Sequence, residues 1–250
     1  MYIDTMIAKF FSGVIAYIRA LSFISKPGYG KYFIYSGLIG LCLFGLAIYL
    51  VSLIAPLLSG FTASIIPWNI GWLTSVTGWI SYIFSGAAFL FIFKYLMLIM
   101  TSPLMSALSE KVEKDITGQD QSRSIIVNII PDLVRSLRVN LRNIVRELFF
   151  LAVLFVLSFV PVIGIVTTIL GLLIQGYYAG WGNADFWAER HFNYGDTVRY
   201  MKQEKGMLLG NGIIYIFLIS IPVLGVFVGP PLATIAITSE AVRAYDTEYV

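Results

Sequence analysis

Charge is what this chain has least of. Residues 32–93 contain no Asp, Glu, Lys, Arg or His. Charged residues make up 12% of the 250, against about 25% in a soluble domain. In their place 58% of the chain is hydrophobic, and the mean hydropathy is +0.82. A charge-free run of this length is foreign to a protein surrounded by water. A bilayer demands it, because a charge at mid-depth costs about 2.5–3.5 kcal/mol even on lenient insertion scales. The composition therefore predicts an all-α integral membrane protein, with residues 1–250 forming one domain.

Other absences narrow the chemistry. One cysteine, Cys42, lies within the apolar run, so no intramolecular disulfide can form, and packing is its expected role. With one histidine, His191, the chain cannot build a His/Cys metal cluster. His191 is read as a loop or interface residue. No Walker-type phosphate loop occurs, and no Ser or Cys has an evident partner base. These gaps argue against an enzyme and against a cofactor. A net charge of +3 gives no sign of nucleic-acid binding. The first residues lack the basic start and unbroken apolar core of a cleavable signal. Asp4, Lys9 and Arg19 interrupt the pattern of Ile7, Phe10, Phe11, Val14, Ile15, Ile18 and Leu21, which predicts an amphipathic helix lying along one membrane face.

What is present divides into two spans and two broken apolar segments. The spans are expected at about residues 32–58 and 71–100, each longer than the ~20 residues a crossing helix needs. Lys94, near the end of the second, either snorkels to the headgroups or faces a pathway. Residues 103–118 read as an amphipathic helix with Glu110, Lys111, Glu113 and Lys114 on its wet side, followed by a loop. Pro131-Asp132 then reads as a helix start, with the acid at the positive dipole end. Arg135, Arg138, Arg142 and Arg146 follow at spacings that place them on one stripe. The apolar segments, about 148–180 and 207–238, are broken at Pro161-Val162-Ile163-Gly164 and Pro222-Val223-Leu224-Gly225. Residues 148–160 give only ~20 Å of helix against a ~30 Å hydrocarbon core. Each segment is accordingly expected to be a partly inserted helical hairpin. Gly176/Gly180 and Gly225/Gly229 are small residues four apart, which permit close helix approach. Apart from Lys94, every basic residue lies in the N-terminal segment, 103–147, 181–206 or the tail. The positive-inside rule puts these segments, and both termini, in the cytosol.

The remaining chemistry is anionic recognition. The loop 25–31 opens a helix, whose first N–H groups are free and whose dipole is positive at that end. Gly28 and Gly30 permit close backbone approach, and Lys26 and Lys31 add charge. Gly28, Tyr29, Gly30 and Lys31 are thus a candidate oxyanion site; the alternative is an interfacial turn with its lysines among lipid headgroups. The arginine stripe either rests on anionic lipid or lines an anion path.

The order of several short blocks resembles the CysZ family of bacterial sulfate permeases, grouped with the etoposide-induced membrane proteins. Tyr17-Ile18-Arg19-Ala20-Leu21 through Ser25-Lys26-Pro27-Gly28 looks like its N-terminal helix and Pro-Gly loop. Ser102-Pro103-Leu104 and Leu108-Ser109-Glu110-Lys111-Val112-Glu113 look like its segment after the second span. The two Pro-Val-aliphatic-Gly breaks resemble its hairpin turns. The resemblance implies an oligomeric bacterial inner-membrane protein that passes sulfate inward for cysteine synthesis. It also implies sulfate binding after the Pro-Gly, where the family commonly has an aliphatic residue and two arginines. Here those positions are Tyr29, Gly30 and Lys31, so a point charge replaces a bidentate fork. Sulfate or a related oxyanion, membrane lipids and further copies of the chain are the expected partners. Glu147 and Glu240 stand only at segment edges, which favours a channel-like path over a proton relay. The competing reading is a lipid-interacting scaffold that transports nothing.

Overall fold

The computed structural model describes residues 2–65, 92–118, 125–158, 160–221 and 223–249. Among these, every regular element is an α-helix: α1 (Tyr2–Ile24), α2 (Gly30–Ile65), α3 (Ile92–Met100), α4 (Ser102–Thr117), α5 (Ile125–Leu157), α6 (Pro161–His191), α7 (Tyr194–Gln203), α8 (Lys205–Ile219) and α9 (Leu224–Tyr249). Four described stretches are long and apolar enough to cross a membrane: Thr5–Ile24, Gly30–Ile54, Ile163–His191 and Leu224–Tyr245. The helix pair α3 and α4, bent by 62°, passes the same test jointly. Most of the expected second span, including Trp72 and Trp79, lies outside the described residues.

The helices extend further than the apolar patterns do. α5 is one continuous helix of 33 residues, ~50 Å long. The arginine-bearing segment and the short apolar arm after it are parts of this single helix. It begins no later than Ile125, so Pro131 does not start it but sits within it. α6 likewise continues through the polar residues to His191. α1 was expected on the membrane face; its length and composition are those of a crossing helix. It packs along α8 and α9 while Ile7, Phe11, Ile15 and Ile18 face outward.

Both Pro breaks are turns between antiparallel helices. In the first, Arg135 of α5 meets Asp185 of α6, Arg142 lies over Trp181, and Leu151 touches Gly171. α6 then starts with Pro161 at its first position, where a missing N–H costs nothing. In the second, Asn211 of α8 bonds the Ala233 carbonyl of α9 at 3.1 Å. That turn carries Val223 at φ 64, a left-handed conformation that is strained for a β-branched residue.

α9 is the centre of the bundle, in contact with α1, α2, α4, α6 and α8. Ala233, Thr234, Ile235, Ala236, Ile237 and Thr238 are all fully buried. Pro230 within it has no N–H to give the Val226 carbonyl. Ser36 of α2 supplies the donor instead, its hydroxyl bonding Val226 O at 2.9 Å.

Glycines set the other contacts. A Cβ at Gly206 or Gly210 would collide with the α1 backbone at Met6 or Phe10. One at Gly212 would strike the Gly176 carbonyl of α6, and one at Gly180 the Leu208 carbonyl of α8. α8 is therefore held between α1 and α6 at backbone distance. Gly176/Gly180 serves the helix crossing expected of it; Gly229 has only ordinary contacts at 3.7–3.8 Å.

The exterior is apolar. Leu38, Phe155, Ile165 and Ile169 are more than half exposed. Cys42 also faces outward on α2, so packing in the core is not its role. Gly212→Ala and Gly180→Ala are each expected to destabilise the protein by at least ~1–3 kcal/mol through overpacking. Gly229→Ala is expected to be neutral or slightly stabilising, since alanine favours helix. Thermal unfolding in detergent checks the contrast; equal losses at all three positions would contradict the packing.

Candidate functional site: a cationic turn and a polar helix face

The Pro-Gly loop is a tight turn. Lys26 N–H donates to Phe23 O at 3.0 Å, and Tyr32 N–H to Tyr29 O at 3.0 Å. Gly28 adopts φ +80, which glycine takes without steric cost. Tyr29 is fully buried and anchors the loop, donating its hydroxyl to Asp115 of α4 at 2.8 Å. Burial first, and then that carboxylate, raise the Tyr29 hydroxyl well above the ordinary phenol range, so it stays a neutral donor.

The anchoring surrounds the turn with lysines. Lys111 lies over the Tyr29 ring at 4.8 Å, beside Gly28. Lys26 sits over Phe23 at 4.1 Å and pairs with Asp115 at 3.7 Å. Lys31, exposed in the first turn of α2, has its ammonium 5.1 Å from the Tyr32 ring centroid. Gly28 and Gly30 are exposed, and a side chain at Gly30 would meet nothing within 4 Å. Gly28, Tyr29, Gly30 and Lys31 thus form one surface feature, with Tyr29 as buried anchor. The first-turn N–H groups of Gly30 and Lys31 have no helix carbonyl to bond. Lys111 was not among the expected residues, because only the docking of the loop on α4 brings it here. The i, i+4 spacing of Lys111 and Asp115 puts both on one face of that helix.

The arginine stripe is divided. Arg135 donates to both Asp185 oxygens, at 3.0 and 3.3 Å, and lies 3.6 Å from Glu189. Arg142 stacks over Trp181 and donates to the Tyr194 hydroxyl at 2.7 Å. Arg138 and Arg146 are exposed. Among the described residues no hydrogen bond or ion pair joins the stripe to the Pro-Gly turn.

Beside the arginines runs a second polar stripe, one or two residues on: Ser136, Asn140, Asn143 and Glu147. All four are buried, whereas Val134, Leu137, Leu141, Val145 and Leu148 point outward. α5 is amphipathic with its polar side inward. Lys94 of α3 closes the stripe. Its ammonium bonds Glu147 at 2.7 and 3.0 Å, and Tyr95 donates to the same carboxylate. Lys94 is 3% exposed and Glu147 0%, so Lys94 does not snorkel and Glu147 is not an edge residue. Asn140 Oδ1 and Asn143 Nδ2 are buried without a hydrogen-bond partner among the described residues. The signal was legible: polar residues at spacings of four, three and four mark one helix face.

A third polar cluster locks α4 to α6. Arg190 donates to Glu113 at 2.9 Å and Ser109 at 2.8 Å, while His191 lies 2.7 Å from Glu113. Glu113 is buried rather than on the wet side of α4. His191 stacks on Trp187 at 4.4 Å and serves as an interface residue.

A bundle with outward apolar faces, crossing-length helices and charged groups turned inward defines a multi-pass α-helical membrane protein. The chain belongs to the family described as Sulfate transporter CysZ/Etoposide-induced protein 2.4, which matches residues 16–230. It is 26% identical over 192 residues to a protein named Sulfate transporter CysZ from Vibrio cholerae serotype O1, strain ATCC 39541, covering 72% of this chain and 75% of that one. The protein of the same name from strain ATCC 39315 is 27% identical over 173 residues, covering 64% and 68%.

The buried pair has a measurable signature. Removing one partner leaves a buried charge, so Glu147→Gln or Lys94→Met alone is expected to cost about 3–5 kcal/mol. The double change Lys94→Met with Glu147→Leu is expected to recover most of that loss. Unfolding of the three variants in detergent checks this; additive losses would contradict the pairing.

Proposed function

We propose that this chain is a sulfate permease of the bacterial inner membrane, taking up sulfate for cysteine synthesis. The observation that carries the reading is the family match over residues 16–230, with similar proteins named sulfate transporters. The cationic turn supports it. An oxyanion at Gly28–Lys31 would meet free N–H groups and the charges of Lys31 and Lys111. Asp115 holds Lys26 at 3.7 Å and keeps the turn from being uniformly positive. Gly30 and Lys31 stand where the family commonly has two arginines, which favours capture by charge over tight, shape-selective binding.

Beyond the turn, the inward stripe of α5 offers the path. Its buried amide groups can solvate an ion that has lost water. The exposed Arg138 and Arg146 raise the local anion concentration along it. Glu147 is enclosed with Lys94 and Tyr95 in the interior, away from water, and is not read as a proton carrier. Uptake is accordingly channel-like and passive. Against an inside-negative potential a divalent anion faces ~4.6 kcal/mol per 100 mV, so net entry requires rapid consumption inside. α1 lies along the cytosolic face rather than crossing, which keeps the basic segments and both termini in the cytosol, and the working unit is a homo-oligomer.

Radiolabelled sulfate uptake into proteoliposomes tests the proposal. Uptake above empty vesicles is expected, reduced about tenfold by Lys31→Ala, the loss of one charge-assisted contact. Lys31→Arg is expected to retain it. Collapsing a pH gradient is expected to leave the rate unchanged, and strict pH-gradient dependence would contradict the passive path. Vesicle deformation without sulfate flux would favour the lipid-interacting scaffold.

A further inference from the structure

A groove opens on the outer surface where α1, α5, α6 and α8 meet. It encloses about 460 Å³, within the ~300–1,000 Å³ of ligand sites. Its walls include Phe150, Leu170, Leu173, Ile174 and Leu209, with Tyr177 and Tyr178 higher up and Lys205 at the rim. No carboxylate lines it among the described residues.

The groove is graded from charged to apolar along its length. Antiparallel pairing sets Arg142 by Trp181 and Leu151 by Gly171, which puts Arg146 level with Tyr177 and Tyr178. Lys205 opens α8 at the same end, a turn before Leu209. Seven residues separate Tyr177 from Leu170, ~10 Å of helix into the apolar part. Lys205 is exposed and makes no hydrogen bond or ion pair among the described residues. The adjoining Glu204 is taken by Lys9 and does not neutralise it.

We infer that this groove is a binding site for one anionic phospholipid, its phosphate held by Lys205 and Arg146 and an acyl chain lying along Leu170, Leu173 and Ile174. The charge at the rim matches a negative headgroup, tyrosine is a residue type favoured beside headgroups, and the floor is as apolar as the chain it would hold. A bilayer supplies such a molecule at the mouth of the groove. The site stands apart from the Pro-Gly turn and does not depend on sulfate being the permeant.

Native mass spectrometry of the delipidated full chain, titrated with phosphatidylglycerol or phosphatidylcholine, tests it. One phosphatidylglycerol is expected to bind preferentially. Lys205→Gln is expected to weaken it about fivefold, one interfacial cation's worth, and Lys205→Glu further. Leu173→Trp, which fills the floor, is expected to reduce retention of both lipids. Lys205 is a surface residue, so its variants fold, and unfolding midpoints in detergent verify this for all three. Equal retention of the two lipids, or retention unmoved by Lys205→Glu, would overturn the assignment. So would a change of oligomer mass in Leu173→Trp without loss of lipid, which would mark the groove as a contact between copies.

Discussion

Hydrocarbon offers no hydrogen bonds, so each polar group of a helix within it must find its partner inside the protein. That constraint orders this molecule. Ser36 answers the carbonyl that Pro230 leaves open. Glu147 holds Lys94 and Tyr95 in the interior. Tyr17 donates to the Asn211 carbonyl at 2.9 Å, and Asn211 in turn accepts from Asn183 and donates to Ala233. α5 shows the constraint at the level of one helix, with leucines outward and amides inward.

The same solvent removes the hydrophobic drive for helices to associate, since lipid tails are as apolar as leucine. Packing must then come from close contact. The glycines of α6 and α8 permit it, bringing two backbones together where any Cβ would intrude. With α8 fixed between α1 and α6, α9 is enclosed, and the ends of α4 and α6 meet through Arg190, Glu113 and His191. On the opposite face of α4, two residues to either side of Glu113, Lys111 and Asp115 receive the Pro-Gly loop. The position of the cationic turn is thus a consequence of how the bundle is closed.

Much of this was legible in the residues alone. The charge-free run announced the membrane, the two Pro-Val-aliphatic-Gly breaks marked the turns between helices, and Gly176/Gly180 marked a crossing. Helix extents were harder to read. Hydropathy changes at Leu148, but a backbone that satisfies its own hydrogen bonds has no reason to stop there, so α5 passes through it. Glu113 and Glu147 were misplaced for a related reason. A charged residue reads as wet from sequence, and only its partner on a distant helix, Arg190 or Lys94, shows it to be buried. Lys111 joined the turn by docking, which no local pattern encodes.

The account rests on which faces meet lipid. Spin labels placed singly at Leu38→Cys, Phe155→Cys and Ile169→Cys, in a Cys42→Ser background in liposomes, test this most directly. Relaxation by oxygen should be strong and relaxation by a water-soluble nickel chelate weak at all three. Strong relaxation by the chelate at these positions would mean that water, not hydrocarbon, bathes the outer faces, and the account would fail with them.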